Sequence, residues 1–406
     1  MTNGTNRNRS EASAWPALDY ETVPWALPDD GSIPRSRSAA HRGPYEAAVP
    51  PRIAALPIPL TTESLALADE ASAEIARFDA ELGADITPYA PLLLRSESAA
   101  SSRIENLTAS ARAIALAELG DPTKRNGAII VANTRAMQTA VALAEDLDEQ
   151  AILDMQAVLL GASHPRWVGR WRQEQVWIGG SSYGPHGATF VPPHHERVPE
   201  AMADLVAFMR RDDLPALVQA SIAHAQFETI HPFPDGNGRT GRALIHSLLR
   251  AKRLTRAVTV PVSAGLLTDT AAYFDSLKAY REGDPSSIVG LISEASFRAV
   301  ANGRKLALDL TTIRARWAEA ITVRRGAAAH ALGDLLVRQP VVDSPLVQRE
   351  LGVAASNANT AIGHLDEKGI LTEVSGNHRN RKWAAPAVLD ALDQFALRAG
   401  RRSGHS

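Results

Sequence analysis

Between about residues 60 and 325 apolar positions recur mostly at three- and four-residue intervals, which predicts a mostly α-helical body. In LTTESLALADEASAEIARFDAELG, residues 60–83, Leu65, Leu67, Ala71, Ile75 and Phe78 mark one face, and Thr62 or Ser64 supplies an N-cap. LLLRSESAASSRIENLTASARAIALAEL, GAIIVANTRAMQTAVALAEDL and DEQAILDMQAVLLG continue the helical pattern. It returns in VPEAMADLVAFMRR and LPALVQASIAHAQFETI, the latter with Asp213 before Pro215 as a start signal. One interruption stands out: in QVWIGGSSYGPHGATFVPP, Gln175 to Pro193, two short β-prone runs flank a turn rich in Gly, Ser and Pro, and a hairpin is expected.

The two ends of the chain read differently. Residues 1–50 carry Asn, Ser, Arg, Pro and Gly without periodicity, as a mobile or loosely draped arm would. Near the C-terminus, the helix SPLVQREL, the turn GVAAS, the helical NANTAIGHLDEKGI and strand-like pieces around SGNHRNRK and KWAAP follow one another. That order resembles a winged helix-turn-helix. Its recognition helix would carry Asn357, Asn359, Thr360 and His364, and its wing tip His378, Arg379, Arg381 and Lys382. Because the helix has no Lys or Arg before Lys368, DNA binding and protein docking stay equally open.

With 406 residues, 45% of them hydrophobic, two or three domains are expected. A formal net charge of −2 excludes a global basic field toward nucleic acid or anionic membranes. The lack of cysteine removes disulfides, thiolate metal sites and thiol nucleophiles, and fits a cytoplasmic setting. No run approaches the ~20 apolar residues of a membrane span.

The chemistry concentrates in HPFPDGNGRTGRALIH, His231 to His246. Gly236, Gly238 and Gly241 satisfy G-x-G-x-x-G literally, yet a helical pattern and two prolines precede them instead of a strand, so a dinucleotide fold is rejected. A Walker loop is excluded because no Gly-Lys-Ser/Thr follows. What remains is a glycine-rich turn entering a helix with Leu244, Ile245, Leu248 and Leu249 on its buried face. Backbone N–H groups at such a turn cradle an anion, and Arg239 with Arg242 on the first turn makes sense if a polyanion sits there. Asp235 would repel phosphate unless a divalent cation bridges them, and His231 supplies a base near neutral pH. The residues alone thus describe a metal-assisted phosphate site.

HPFPDGNGRTGR also resembles, without a departure, the Fic family signature H-x-F-x-[D/E]-G-N-G-R-x-x-R. The resemblance implies an all-helical Fic core and transfer of AMP from ATP to a Ser, Thr or Tyr hydroxyl of a protein. It makes His231 the catalytic base, Phe233 the loop's anchor, Asp235 the Mg2+ ligand, and Gly236, Asn237, Gly238, Arg239 and Arg242 the nucleotide-binding set, Arg242 chiefly for the γ-phosphate. QVWIGG and ATFVPP resemble the family's flap, where Gln175, Val176, Trp177 and Ile178 would dock an extended target segment. Upstream, SSRIEN matches the inhibitory pattern [S/T]-x-x-x-E-[G/N] through Ser101, Glu105 and Asn106. Glu105 is then expected to pair with Arg242 and bend the triphosphate away from in-line attack.

The expected architecture is therefore mostly α: an arm over 1–50, a helical region with the inhibitory helix over 51–125, a Fic core with a β-hairpin flap over 126–305, and a linker helix with a winged-helix module over 306–406. The expected activity is that of an autoinhibited protein adenylyltransferase using Mg2+ and ATP, with itself or another protein as target. Removal of AMP from proteins, and a DNA-binding regulator whose site senses nucleotide, are the alternatives. DNA and a homodimer remain open as partners, and none is expected at a membrane.

Overall fold

The computed structural model describes residues 14–25, 41–85, 89–324, 327–375 and 380–400. A helical body is built around a helix that has no solvent face. Helices α1 (Thr62–Asp85), α2 (Ala90–Ile104), α3 (Ala111–Glu118), α4 (Arg125–Ala142), α5 (Glu149–Leu160) and α6 (Val198–Met209) precede the central α7 (Ala216–Ile230), whose residues from Leu217 onward are all buried. Apolar residues occupy most sides of α7, the pattern of a core helix. Its polar residues are accommodated locally: the Gln219 amide donates to the carbonyls of Phe208, Met209 and Arg211, and Ser221 and Thr229 donate back to the carbonyls four residues earlier. Asp213, expected to start this helix, instead ion-pairs with Arg211, and Pro215 occupies the cap position without a side-chain bond.

Helix α8 (Asn237–Ala251) packs on α7, α4 and α2, with Leu244, Ile245, Leu248 and Leu249 buried as their spacing predicts. After α9 (Val262–Leu266) and α10 (Thr270–Arg281) comes α11 (Pro285–Ala320), 36 residues that pack along α1, α7, α9 and α10 and also reach the C-terminal elements. Helix α1 meets the core through Ala68, Ala71, Ile75, Phe78 and Leu82; Leu65 is exposed, and Thr61 rather than Thr62 or Ser64 caps it, accepting from Ser64 N–H.

Residues 14–25 and 41–50 correct the expectation of a loosely draped arm. Strands β1 (Asp19–Val23) and β2 (Tyr45–Val49) pair antiparallel, Asp19 opposite Val49 and Val23 opposite Tyr45. Trp15, Tyr45, Ala47 and Ala48 are buried. The apolar pairings are made with distant segments, and so a local reading of composition misses them.

At the other end, α12 (Ala328–Leu336), β3 (Val341–Asp343), α13 (Ser344–Leu351), α14 (Ala355–Glu367), β4 (Thr372–Glu373), β5 (Lys382–Ala384) and α15 (Pro386–Ala399) follow in order. The three strands form an antiparallel sheet in the order β3-β5-β4. Asn357, Asn359 and Thr360 stand exposed on α14, while His364 is half-buried. Of the expected basic wing tip, His378 and Arg379 lie outside the described residues. Arg381 ion-pairs with Glu373 and lies over the Trp383 ring, and Lys382 reaches Asp121 at 3.6 Å. Among the described residues no helix is long and apolar enough to cross a membrane.

Candidate active site

The loop between α7 and α8 gathers the signature residues. His231 ends α7 in the left-handed conformation (φ 50°, ψ 61°), its N–H still bonded to the Phe227 carbonyl at 2.8 Å. A non-glycine residue adopts this backbone only where its surroundings hold it there. Phe233 then plunges into the core against Trp171 and Phe227, ring centroids 5.3 and 6.2 Å away. Asn237 locks the turn from both sides, accepting from Phe233 N–H at 2.9 Å and donating to the Phe233 carbonyl at 2.8 Å. Its side chain thus holds the loop's shape, a role the sequence had not suggested. Gly236 carries φ 84°, and a Cβ there would stand 2.9 Å from Leu159, so both strain and crowding require glycine.

Asp235 keeps a 45%-exposed side chain at the rim of this loop. Its Oδ1 accepts Gly236 N–H at 2.6 Å, and Arg239 approaches both oxygens at 3.4 Å. Arg239 and Arg242 are otherwise buried, Arg242 to 1% side-chain exposure. Such a charge needs partners. The end of α2 supplies them: Arg242 Nε donates to Ser101 Oγ at 2.9 Å, and its Nη2 donates to the Ser101 carbonyl at 2.8 Å and to Glu105 Oε1 at 2.9 Å. Glu105 is the C-cap residue of α2, and Asn106 follows with φ 60°, turning the chain away. The approach is close enough that a Cβ on Gly238 would fall 2.1 Å from Glu105 Oε1.

One turn before Ser101 on α2 and one turn after Arg242 on α8, a second contact joins the two helices. Buried Glu97 accepts from Ser263 N–H at 2.8 Å and bonds His246 Nε2 at 2.8 Å. Neither residue belongs to the sequence signatures.

Three more residues escaped the sequence reading. Glu228, buried one turn before His231, brings Oε2 within 3.9 Å of His231 Nδ1; burial pushes its carboxyl up to about 7, with Arg242 opposing and Glu105 adding to the rise. Arg281 lies over the Phe190 ring, bonds the Glu228 carbonyl at 3.3 Å, and is pulled down to about 10 by burial. Arg172 is buried and bonds the His231 carbonyl through Nε at 2.9 Å. Burial, followed by the fields of Arg172 and Arg281, holds the His231 imidazole well below the usual histidine range. A neutral imidazole at physiological pH is the form that accepts a proton. Only the appearance of Arg172 beside the flap sequence could have flagged it.

The flap closes more loosely than the two strands expected. A single antiparallel bridge joins Ile178 to Phe190, with Ile178 N–H donating to the Phe190 carbonyl at 2.9 Å. Consecutive left-handed Gly179 and Gly180 end the pairing on one side, and Pro192 and Pro193 offer no N–H on the other. Gln175 anchors the flap's base, accepting from Tyr45 OH at 3.0 Å and donating to the Pro192 carbonyl at 2.9 Å. Val176 is half-buried, the Trp177 indole is engaged with the Ser181 carbonyl at 2.8 Å, and Ile178 is exposed. Strand β2 runs along the other side, Ala48 N–H donating to the Val191 carbonyl at 3.1 Å.

Comparison with known proteins points the same way. Residues 146–249 match the model of the Fic/DOC family. The chain is 29% identical over 171 residues to protein adenylyltransferase fic-1 of Caenorhabditis elegans, a match covering 41% of this chain and 31% of that protein. It is 31% identical over 160 residues to the Caenorhabditis briggsae fic-1, covering 38% and 29%. A probable protein adenylyltransferase of Aquifex aeolicus (strain VF5) is 39% identical over 88 residues, 20% of this chain and 28% of that protein. The chain thus matches less than a third of the length of these relatives. In fold, it is similar to the crystal structure of a Fic family protein from Desulfovibrio desulfuricans G20, with a TM-score of 0.53 at 23% identity over 81% of this chain and 97% of that one.

Proposed function

The chain carries a Fic domain across residues 146–249, and from that premise we propose that it is a protein adenylyltransferase that transfers AMP from ATP to a Ser, Thr or Tyr hydroxyl and is held off by Glu105. In this reading His231 takes the proton of the attacking hydroxyl, while the N–H groups at the start of α8 and the guanidinium groups of Arg239 and Arg242 receive the phosphates. The observation that carries it is the convergence of a left-handed His231, the helix N-terminus at Gly236–Gly238 and the buried Arg239 and Arg242 of α8 at one loop–helix junction.

Among the described residues no group of three or more His, Asp or Glu is placed to hold a metal alone. Asp235 offers one accessible carboxylate, which would hold a Mg2+ ion brought in with the nucleotide. Such an ion would neutralise charge on the phosphates as pyrophosphate leaves.

The contact between Glu105 and Arg242 supports the inhibitory part. A guanidinium fork engaged by Ser101 and Glu105 has fewer donors for a γ-phosphate, so ATP would settle in a path unsuited to in-line attack. Hydrolytic removal of AMP is a second reading, favoured by the 41% exposure of Glu105, which leaves water access to a carboxylate beside the phosphate cradle. For the C-terminal elements we propose a winged-helix module within residues 306–406, following helical regions over 51–125 and 126–305. Engagement of Arg381 and Lys382 by Glu373 and Asp121 favours docking to this chain or another protein over duplex binding.

Incubation with α-labelled ATP and Mg2+ tests the proposal. Glu105→Gly is expected to label itself or lysate proteins at least ~tenfold faster than the parent, whereas Arg242→Ala is inactive with or without Glu105. Equal labelling by parent and Glu105→Gly, both folded and saturated with ATP, would discard autoinhibition; no labelling by either would discard the transferase reading.

A further inference from the structure

Arg172 is a buried guanidinium whose partners are all main-chain carbonyls. Its Nε donates to His231 O at 2.9 Å, Nη1 to Glu174 O at 3.0 Å, and Nη2 to Pro193 O at 2.5 Å and Ile230 O at 3.5 Å; its own N–H donates to Pro232 O at 2.9 Å. Among the described residues no carboxylate lies within ion-pair distance of it. Burying a cation without a counter-ion is costly, and burial pulls this side chain down to about 10. A fold that only needed to fill this space would use an apolar residue.

The carbonyls it collects identify a purpose. Glu174 and Pro193 flank the two feet of the flap, and Ile230, His231 and Pro232 form the end of α7 and the start of the loop. The flap closes on itself through one bridge, so its own pairing does not fix its distance from the loop. His231 sits in a left-handed conformation that turns its carbonyl toward Arg172. Five donors in a rigid planar fork can bind several carbonyls at once; a lysine ammonium cannot reproduce that geometry.

We propose that Arg172 is a positioning residue that ties both feet of the flap to the His231 loop, so that a target segment lying on the flap presents its hydroxyl in register with His231. The proposal rests on the transferase reading above for its consequence, while the tie itself is a property of the chain. Its charge also acts on His231, which Arg281 and Glu228 face as well: burial first, and then the two cations, disfavour a proton there, the Glu228 backbone opposes them, and the Glu228 carboxyl lies 3.9 Å from Nδ1. Arg172 therefore fixes the backbone that carries the imidazole and, after burial, adds to the forces that keep it neutral.

The test uses the full chain in the Glu105→Gly background. In Arg172→Lys the charge stays but the fork is lost. Transfer to protein is expected to fall at least ~tenfold, with KM for the protein target rising and the ATP dissociation constant unchanged within about threefold. Amide hydrogen exchange across residues 174–193 should quicken. Arg172→Gln keeps two donors without the charge, and covers the case in which lysine prevents folding. In it the His231 imidazole, followed by NMR titration, should move up toward the ordinary histidine range, which a filler of space would not cause. Flap exchange and His231 titration both unchanged in the folded variants would overturn the proposal. Altered exchange and titration in a parent that never labels protein would uphold the tie and defeat the transferase reading instead.

Discussion

The His231 loop and the flap face the same site but are built in opposite ways. The loop is shaped mainly from within: Phe233, Asn237 and Gly236 set its turn, α7 and α8 enclose it on either side, and Trp171 and Arg172 brace it from outside. The flap is assembled from afar, through one bridge of its own, the Tyr45 hydroxyl, the Ala48 amide and the Arg172 guanidinium. In the proposed function the loop would handle protons and phosphates and the flap would receive a protein segment, and a rigid loop with a more loosely tied flap suits the different tolerances of those two tasks.

Breaking the loop should cost most. Phe233→Ala removes a fully buried ring between Trp171 and Phe227 and is expected to lower stability by ~3–5 kcal/mol, read by urea unfolding. A loss under 1 kcal/mol would mean that the loop is not anchored there. His231→Ala leaves the backbone tie in place and should reduce transfer by a factor of ~10² or more with nucleotide affinity retained, measured by labelling and calorimetry. Residual transfer within tenfold would assign the proton to another group.

The loop's surroundings also predict a pH dependence. Burial, with Arg242 adding, presses buried His224 down to about 3, so the folded chain binds this proton more weakly than the unfolded one. Stability from this site is present above about pH 6.5 and is lost as pH falls toward 3. His224→Gln should therefore lose less stability than the parent between pH 7 and 5, by about 2 kcal/mol. Parallel curves would show that His224 binds its proton equally well in the folded and unfolded chain. The smallest effect is expected at the flap: Tyr45→Phe deletes one bond to Gln175, worth about 1 kcal/mol or less, and should change KM for a protein target without changing ATP affinity. A change confined to ATP affinity would contradict the division of labour between loop and flap.

This division also explains how much of the molecule can be read from its sequence. The helical body follows from three- and four-residue spacing, and the loop from residues adjacent in the chain, so His231, Phe233, Asp235 and Arg242 stand out as candidates in the sequence alone. Ser101 and Glu105 could be paired with Arg242 only through the resemblance, since nothing in their spacing names a partner more than a hundred residues away. Arg172, Tyr45, the β1–β2 pair and the Glu97–His246 contact remain illegible because each depends on tertiary neighbours. Composition alone misjudged residues 14–25 and 41–50, since their apolar partners lie elsewhere in the chain.

Gly238 has one further consequence. The space that Glu105 Oε1 occupies beside it is space that any Cβ would fill, so the restraint proposed for this site would be written twice, once as a carboxylate on α2 and once as a missing side chain on α8. Loss of the restraint by mutation is thus open at either position, but by different routes. Altering residue 105 removes the occupant and leaves the phosphate cradle untouched, whereas any side chain at 238 evicts the occupant by crowding the N-terminal turn that would receive the nucleotide. Genetic escape from the proposed inhibition should accordingly concentrate at Glu105 and spare Gly238.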